Sequence, residues 1–184
     1  AYDRKSFIIN LQDDYVRDYT LPALHQRING NPAIVSLCKD DGNVFWISQD
    51  RYGICLYCPD SDKLVHYSDC SDTRDQPLQF IHYFIKSNKK GKIWAMSQST
   101  IVYGIAQDNL SMVMEETIDL NSLTDNPGTL ETIYEDVVGN LWMGTTMGLF
   151  VYTPNTKGLE SFDEIQGVVT GVTETNDGAV WVSV

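Results

Sequence analysis

Residues 139–153 read GNLWMGTTMGLFVYT, and this stretch decides the fold. A glycine–asparagine pair opens it, a first apolar run passes through Trp142, and Gly148 begins a second run of aliphatic and aromatic side chains. Two such runs joined by a short turn predict a β-hairpin. The stretch carries no nucleophile, metal-ligand cluster or phosphate-binding loop, so its sequence indicates a structural role.

The tryptophans show that this unit recurs along the chain. They stand at near-regular intervals, as Trp46, Trp94, Trp142 and Trp181. Each follows a glycine at short distance, namely Gly42, Gly91, Gly139 and Gly178. The first glycine lies one residue further from its tryptophan than the others do, which predicts a small bulge.

The flanks of each tryptophan repeat as well. A short alternating segment precedes each glycine, and a polar turn, an apolar strand, a second turn and a last strand follow the first three tryptophans. Four strands in each repeat are typical of one propeller blade. Asp41-Gly42-Asn43 and Asn176-Asp177-Gly178 supply the left-handed positions of two-residue hairpins. A β-sandwich would also have many short strands, but it would not require a tryptophan at one phase of every repeat.

The sequence therefore predicts an all-β fold, a partial β-propeller over residues 1–184 with about four blades of four antiparallel strands. The predicted blades are 5–20 (outer strands only), 34–68, 81–118, 130–162 and 168–184 (inner strands only). The two partial blades could complete each other in a ring of four, two copies could form a ring of eight, or the chain could be an arc of a larger ring. Because open blade faces would be apolar, we expect self-association, as a homodimer.

Composition narrows the classes of partner. The chain has 184 residues, a net charge of −12 and an isoelectric point near 4.4. An acidic surface repels phosphate backbones and anionic lipids, so we expect neither nucleic acid nor membrane contact. The sequence has no apolar run long enough for a membrane helix. It starts at Ala1 without a signal peptide, so we expect it to be part of a longer protein.

The cysteines do not indicate a metal or a cofactor. Cys55 and Cys58 have C-x-x-C spacing, but Cys38 and Cys70 form no second pair, and the histidines stand alone at His25, His66 and His82. In a strand, Cys55 and Cys58 point to opposite faces. Packed thiols are the expected interpretation, and the disulfide state is left open.

The third unit, residues 135–152 (EDVVGNLWMGTTMGLFVY), closely resembles the two-component regulator propeller repeat, of the form D-x-x-G-N-L-W-[IV]-G-T-x-x-G-L-x-x-Y. Met143 replaces the usual β-branched residue. The first unit keeps the aspartate, glycine, asparagine and tryptophan, and the second and fourth units are weaker copies. The resemblance covers residues 30–184, and residues 5–20 fit as a partial blade.

The resemblance implies a function. Such repeats form the periplasmic sensor of hybrid two-component histidine kinases, many of which respond to oligosaccharides and switch on genes for polysaccharide use. It thus implies an extracytoplasmic, ligand-sensing segment without catalysis of its own. A purely structural or protein-interaction propeller is the alternative. A propeller lyase or glycosidase is least favoured, because the acidic residues fall mostly in turns and form no repeated inward pair.

The expected ligand site lies in the loops of one face. Propeller ligands usually sit where strand two joins strand three and where one blade joins the next. Sugars bind by stacking on aromatic rings and by multiple hydrogen bonds, so the candidate binding residues are Asp50, Arg51, Tyr52 and Gln98. The tryptophans recur at one phase of every blade, which favours packing over a role as sugar platforms.

Overall fold

The computed structural model describes residues 7–10, 15–18, 34–49, 53–66, 81 and 83–184. For residues 7–10 and 15–18 and for Gln49 the backbone alone is described. The described strands are β1 Phe7–Asn10, β2 Tyr15–Asp18, β3 Ile34–Lys39, β4 Phe45–Gln49, β5 Gly53–Cys58, β6 Lys63–His66, β7 Tyr83–Lys86, β8 Lys92–Met96, β9 Thr100–Ala106, β10 Met112–Asp119, β11 Leu130–Glu135, β12 Leu141–Thr145, β13 Gly148–Thr153, β14 Gly158–Ser161, β15 Gly171–Glu174 and β16 Val180–Ser183. One short helix, α1 (Leu120–Leu123), follows β10.

The strands form antiparallel sheets in chain order. Blade one is β3-β4-β5-β6, blade two is β7-β8-β9-β10 and blade three is β11-β12-β13-β14. Blade four consists of β15-β16, and β1-β2 forms a further two-stranded sheet. The first strands of neighbouring blades adjoin, since β3 lies against β7, β7 against β11, and β11 against β15. The predicted all-β fold of four-stranded propeller blades is confirmed.

The core lies between blades. One cluster joins blades one and two and contains Trp46, whose ring meets Phe84 edge-on at 6.3 Å. A second cluster joins blades two and three and contains Trp94, Leu141 and Met143. Alternate residues of each strand serve opposite faces of a sheet, so each middle blade packs on both neighbours. Burial of these side chains is the main stabilising term of the fold.

The turns between first and second strands differ from the prediction. The left-handed residue is Asn43 (φ 61°) in the first repeat, whereas it is Gly91 (φ 75°), Gly139 (φ 90°) and Gly178 (φ 84°) in the others. Counted from this residue, every tryptophan stands at the same distance, so the predicted bulge beside Gly42 is wrong. An asparagine tolerates this conformation better than most residues.

These turns are also longer than the two-residue hairpins that were predicted. In blade three the amide of Gly139 donates to the carbonyl of Asp136 at 3.0 Å, and the amide of Asp136 donates to the carbonyl of Asn140 at 3.0 Å. This pattern, with a left-handed residue in third place, belongs to a three-residue loop. Blade two has one residue more, because its enclosing bond joins Ser87 to Lys92 at 3.0 Å.

The tryptophans are not equally buried. Trp46 and Trp94 are 1% and 2% exposed, and Trp142 is half-buried and stacks on Phe162 with ring centres 5.5 Å apart. Trp181 is 66% exposed, which differs from the packing role predicted for it. The reason is structural: within the described residues β16 pairs with β15 alone, so no third strand lies beside Trp181.

The cysteines follow the strand geometry. Cys55 is buried with Ile47 and Tyr57 on one face of blade one, whereas Cys58 packs with Cys38 against the cluster on the other face. Opposite faces are what the spacing predicted, and they keep the two thiols apart. Cys38 and Cys58 are free thiols, and Cys70 lies outside the described residues.

The described part of the chain has neither a candidate metal site nor a candidate membrane-spanning helix. In that part of the chain, no group of three or more His, Cys, Asp or Glu side chains is placed to hold a metal ion. The same residues include no helix with the length and apolar character needed to cross a membrane.

Candidate ligand-binding face

The propeller has two rims with different chemistry. We call loop face the rim formed by the links between second and third strands (described residues 97–99 and 146–147) and by the links between blades (120–129 and 162–170). We call turn face the opposite rim, formed by the turns between first and second strands and between third and fourth strands. The loop face is where the sequence placed the candidate ligand site.

Backbone hydrogen bonds tie the two kinds of link together on the loop face. The amide of Leu130 donates to the carbonyl of Gln98 at 2.7 Å, and the amide of Leu120 donates to the carbonyl of Ser99 at 2.9 Å. The link from blade two to blade three is therefore held against the loop inside blade two. The side chain of Gln98 remains exposed.

The same arrangement recurs in blade three. The amide of Thr146 donates to the carbonyl of Thr129 at 2.9 Å, and the hydroxyl of Thr146 accepts from the amide of Thr129 at 3.0 Å. Gly128 has φ +78°, and a Cβ there would lie 2.5 Å from Thr146 Oγ1 and 2.7 Å from Met147 Cγ. Only glycine fits this close approach without a shift of the loops.

A buried threonine anchors the blade-three loop. Thr145 is fully buried; its hydroxyl donates to the carbonyl of Gly148 at 3.1 Å and accepts from the amide of Met147 at 3.1 Å. Its carbonyl accepts from the amide of Val169 at 2.9 Å, which fixes the link to blade four. Because the backbone of these loops is already fixed, less ordering is needed when a ligand binds, and this lowers the entropy cost of binding.

The predicted binding residues are only partly described. Gln98 lies exposed on the loop face, and Met147, which the sequence did not single out as a binding residue, lies there too with 53% exposure. Asp50, Arg51 and Tyr52 lie outside the described residues. By strand order they belong to the loop between β4 and β5, which is the blade-one counterpart of the Gln98 loop.

The turn face carries a repeated carboxylate clamp. We use this name for an aspartate at the end of the first strand that accepts from its own turn and from the tryptophan of its own blade. In blade one, Asp40 accepts from the amides of Gly42 at 2.8 Å and Val44 at 2.9 Å, and from Trp46 Nε1 at 3.0 Å. Asp40 is only 6% exposed.

Blade three has the fullest clamp. The carboxylate of Asp136 accepts from the amides of Val138 at 3.1 Å and Asn140 at 2.8 Å. It also accepts from Asn140 Nδ2 at 3.0 Å and Trp142 Nε1 at 2.9 Å. One side chain thus shapes the turn and orients the indole.

Blade two lacks a carboxylate at this position, because Ser87 stands there. Its tryptophan instead donates across the blade boundary: Trp94 Nε1 lies 3.1 Å from Glu135 Oε2, which also accepts from the amide of Asn88 at 2.9 Å. Glu135 ends β11 and is 7% exposed. A role for Glu135 was not predicted from the sequence. The available signal was an acidic residue directly before the aspartate of the motif.

Further polar bonds join the other blade pairs on the turn face. The amide of Val137 donates to Glu174 Oε2 at 3.1 Å, which ties blade three to blade four. The amide of Gly91 donates to Asp41 Oδ2 at 2.8 Å, and Lys86 forms an ion pair with Asp41, which ties blade one to blade two. A charged or polar bond therefore crosses each of these three boundaries.

The pKa shifts of Asp136 and Tyr152 favour a structural role for these two side chains. Burial of Asp136 acts to raise its pKa, but the hydrogen bonds from Trp142, Asn140 and Val138 outweigh it and hold the pKa below the ordinary value. Burial, with a hydrogen bond to Glu116, raises the pKa of Tyr152 to about 12. A general acid needs a raised carboxyl pKa and a tyrosine base needs a lowered one. Neither group is tuned for proton transfer near neutral pH.

Solved structures share this fold. An extracellular domain of a putative hybrid two component system from B. thetaiotaomicron is 22% identical, with a TM-score of 0.59 over 81% of this chain and 20% of that chain. A second such domain from the same organism is 17% identical, with a TM-score of 0.65 over 96% of this chain and 23% of that chain. A catalytically inactive virginiamycin B lyase from Staphylococcus aureus, solved with quinupristin, is 14% identical. Its TM-score is 0.59 over 84% of this chain and 50% of that chain.

The sequence comparisons were negative. No protein-family model matches the sequence, and no curated protein matches it either. The chain spans about a fifth of the length of the two extracellular domains. At these identities the likeness establishes the fold. That fold is shared with extracellular domains of two-component systems, in agreement with the propeller repeat recognised in the sequence.

Proposed function

We propose that this chain is a ligand-sensing segment from the extracytoplasmic, periplasmic part of a hybrid two-component histidine kinase. The observation that carries the proposal is the agreement between a likeness in sequence and a likeness in fold. The repeat at residues 135–152 resembles the two-component regulator propeller repeat, and the fold resembles extracellular domains of hybrid two component systems. In this proposal the segment binds and transmits, and a kinase elsewhere in the parent protein catalyses.

Oligosaccharides are the proposed ligand class, and control of polysaccharide-utilisation genes is the proposed output. Support comes from the resemblance and from the chemistry of the loop face. Its exposed groups include an amide at Gln98 and a thioether at Met147, beside backbone links held by hydrogen bonds. The sequence adds Asp50, Arg51 and Tyr52, a set with an aromatic ring and several donors, in the corresponding loop of blade one.

Calorimetry of the chain against a panel of oligosaccharides tests this proposal. We expect heat with at least one glycan, and we expect the variants Gln98→Ala and Tyr52→Ala to weaken its binding by about tenfold each. The variant Asn109→Ala, exposed on the turn face, is the control and should bind as wild type. Equal loss in the control would contradict the loop face as the site.

A structural or protein-interaction propeller is the alternative function. The bonds that cross the blade boundaries on the turn face are those of a rigid scaffold, and a scaffold alone would need no ligand. Titration separates the two: no heat with any glycan, together with measured binding of a protein partner, would favour the scaffold.

Catalysis is the third candidate, and its specific support is the similarity in fold to a lyase. The pKa directions of Asp136 and Tyr152 argue against these two groups as acid or base. Incubation of the chain with oligosaccharides, followed by chromatography of the products, addresses it directly. Cleavage that survives purification of the chain to homogeneity would show an enzyme.

A further inference from the structure

The lysines with described side chains all lie on one rim of the propeller. Each is in a turn of the turn face or at a strand end next to such a turn; these residues are Lys39, Lys63, Lys86, Lys89, Lys90, Lys92 and Lys157. The described residues of the loop face include no lysine and no arginine. The described lysines therefore lie on the rim opposite the proposed ligand site.

The two-residue loop of blade three (146–147) lies between two links of the loop face. On one side, a Cβ on Gly128 of the link into blade three would lie 2.7 Å from Met147 Cγ. On the other side, a Cβ on Gly148, the residue after this loop, would lie 2.7 Å from the carbonyl oxygen of Ile165 in the link to blade four. Met147 is therefore flanked by both links, and its side chain is exposed between them.

Both of these links carry exposed carboxylates. Asp125 lies in the link into blade three, and Asp163 and Glu164 lie in the link to blade four. Neither link contains a basic residue. A negatively charged ligand at Met147 would meet negative charge from two sides, without a lysine or arginine of the described loop face to compensate it. Like charges brought together at an interface lower the affinity.

The backbone beside Met147 offers little to an anion. Besides cationic side chains, proteins use unpaired backbone amides to bind anions. Here the amide of Thr146 donates to the carbonyl of Thr129 at 2.9 Å, and the amide of Met147 donates to Thr145 Oγ1 at 3.1 Å. The amide of Val169 donates to the carbonyl of Thr145 at 2.9 Å. An anion would have to displace one of these bonds to gain a backbone donor.

The sequence of the other loop-face links has the same sign of charge. Segment 69–79, which joins blades one and two, contains three aspartates and one arginine. Segment 50–52 contains Asp50 and Arg51, whose charges are opposite. Both segments lie outside the described residues, and their composition adds negative charge overall.

We propose that the loop face selects uncharged oligosaccharides and discriminates against acidic ones, such as those that contain uronic acids or sulfate esters. This inference names the class of ligand at the site of the proposed function and rests on that function. A neutral glycan suits the exposed groups of the face, because the amides of Gln98 and Asn126 can pair with hydroxyls. Met147 and Val168 add apolar surface for the C–H faces of sugar rings. Repulsion then separates ligands of similar shape by their charge.

Calorimetry of the 184-residue chain against a panel of neutral and uronate-containing oligosaccharides gives the first test. We expect the tightest ligand to be neutral, with a dissociation constant that changes less than about twofold between low and high salt, since screening does not act on an uncharged ligand. An acidic oligosaccharide as the tightest ligand would overturn this inference and leave the proposed function standing. No heat with any oligosaccharide would overturn both.

Two derivatives of the tightest ligand separate charge from size. Oxidation of its primary hydroxyls to carboxylates should weaken binding by about tenfold or more, and conversion of those carboxylates to neutral methylamides should restore most of the affinity. The variant Asp163→Asn/Glu164→Gln should bind the oxidised glycan at least about threefold more tightly than wild type does. The matched control Asp60→Asn/Asp108→Asn removes two exposed carboxylates from the turn face and should bind it as wild type. A methylamide as weak as the carboxylate, or equal gains in both variants, would overturn the inference.

A thiol probe reports the charge of the loop face without any glycan. Met147→Cys is treated with positively and negatively charged methanethiosulfonate reagents, and the reaction of the native cysteines in wild type is subtracted. Asn88→Cys, exposed in the lysine-rich turn of blade two, is the comparison on the turn face. We expect the ratio of the rates with the positive and negative reagents to be about tenfold higher at residue 147, and the two ratios to converge at high salt. Equal ratios at low salt would overturn the inference and leave the proposed function standing.

Discussion

Blades two and three differ in the hydrogen-bond acceptor of their tryptophan. Each has a tryptophan whose indole nitrogen needs a hydrogen-bond acceptor. Trp142 finds it in its own turn at Asp136, whereas Trp94 finds it in the next blade at Glu135. The difference teaches that the repeat specifies an acceptor for the indole but does not specify which blade supplies it. Where the neighbouring blade supplies the acceptor, the hydrogen bond of the indole links the two blades.

Loss of the local clamp in blade three should have the largest effect. Asp136→Ala leaves the indole of Trp142, two backbone amides and the Asn140 side chain without their acceptor, and Asp136 is 5% exposed. We expect a loss of about 3 kcal/mol in the free energy of unfolding, measured by denaturant titration. Asp163→Ala, at an exposed position, is the control and should stay within about 0.5 kcal/mol of wild type.

Loss of Glu135, the acceptor that blade three supplies to Trp94 of blade two, should lower the free energy of unfolding by less than loss of Asp136. Glu135→Ala removes the acceptor of Trp94 and Asn88, and we expect a loss of about 2 kcal/mol in the free energy of unfolding. Glu131→Ala, exposed on the same strand, is the control. The coupling between Glu135→Ala and Trp94→Phe, measured in a double-mutant cycle, should be about 1 kcal/mol. Strict additivity would show that the indole does not use Glu135.

The pH dependence of stability should distinguish the clamp from ordinary surface acids. The pKa of Asp136 is lowered in the folded state from 3.8, so the ionised form stabilises the fold at pH values above 3.8. This stabilisation is lost as pH falls below 3.8 and through the folded-state pKa. We therefore expect the difference in unfolding free energy between wild type and Asp136→Asn to be constant near neutral pH and to shrink in acid. A difference that grows in acid would contradict the assignment.

A clamp installed in blade four should have the smallest effect. Thr175 stands at the position of Asp136, and Trp181 at the position of Trp142. Thr175→Asp should change stability by no more than about 0.5 kcal/mol, because Trp181 is 66% exposed. It should nevertheless slow hydrogen exchange at the Trp181 indole, measured by NMR, with Thr175→Asn as a milder comparison. Unchanged exchange would show that the turn alone cannot orient the indole.

The fold was predictable because its signal is local and repeated. Asp136, Gly139 and Trp142 lie within one hairpin, and the distance from the left-handed turn residue to the tryptophan is the same in each blade. The left-handed turn position was missed in blade one because Asn43, next to Gly42, takes the conformation that a glycine takes elsewhere. The exposure of Trp181 was missed because its burial depends on a third strand beside β16, and among the described residues β16 pairs with β15 alone.

The candidate site was less predictable. Sequence spacing identified the loop between β8 and β9, and Gln98 in it is exposed on the loop face. The bonds that fix this loop, such as Leu130 to Gln98, join residues of different blades and leave no local pattern. Glu135 was missed for the same physical reason, since its partners Asn88 and Trp94 lie in the preceding blade.

The turn face holds the blades together, and we propose that the loop face recognises the ligand. Hydrogen–deuterium exchange of the chain, with and without a glycan found by calorimetry, tests it most directly. We expect slower exchange at residues 97–100, 124–130 and 145–148 when the glycan is bound, and unchanged exchange at residues 87–92 and 136–140. Protection confined to residues 87–92 and 136–140 would contradict it.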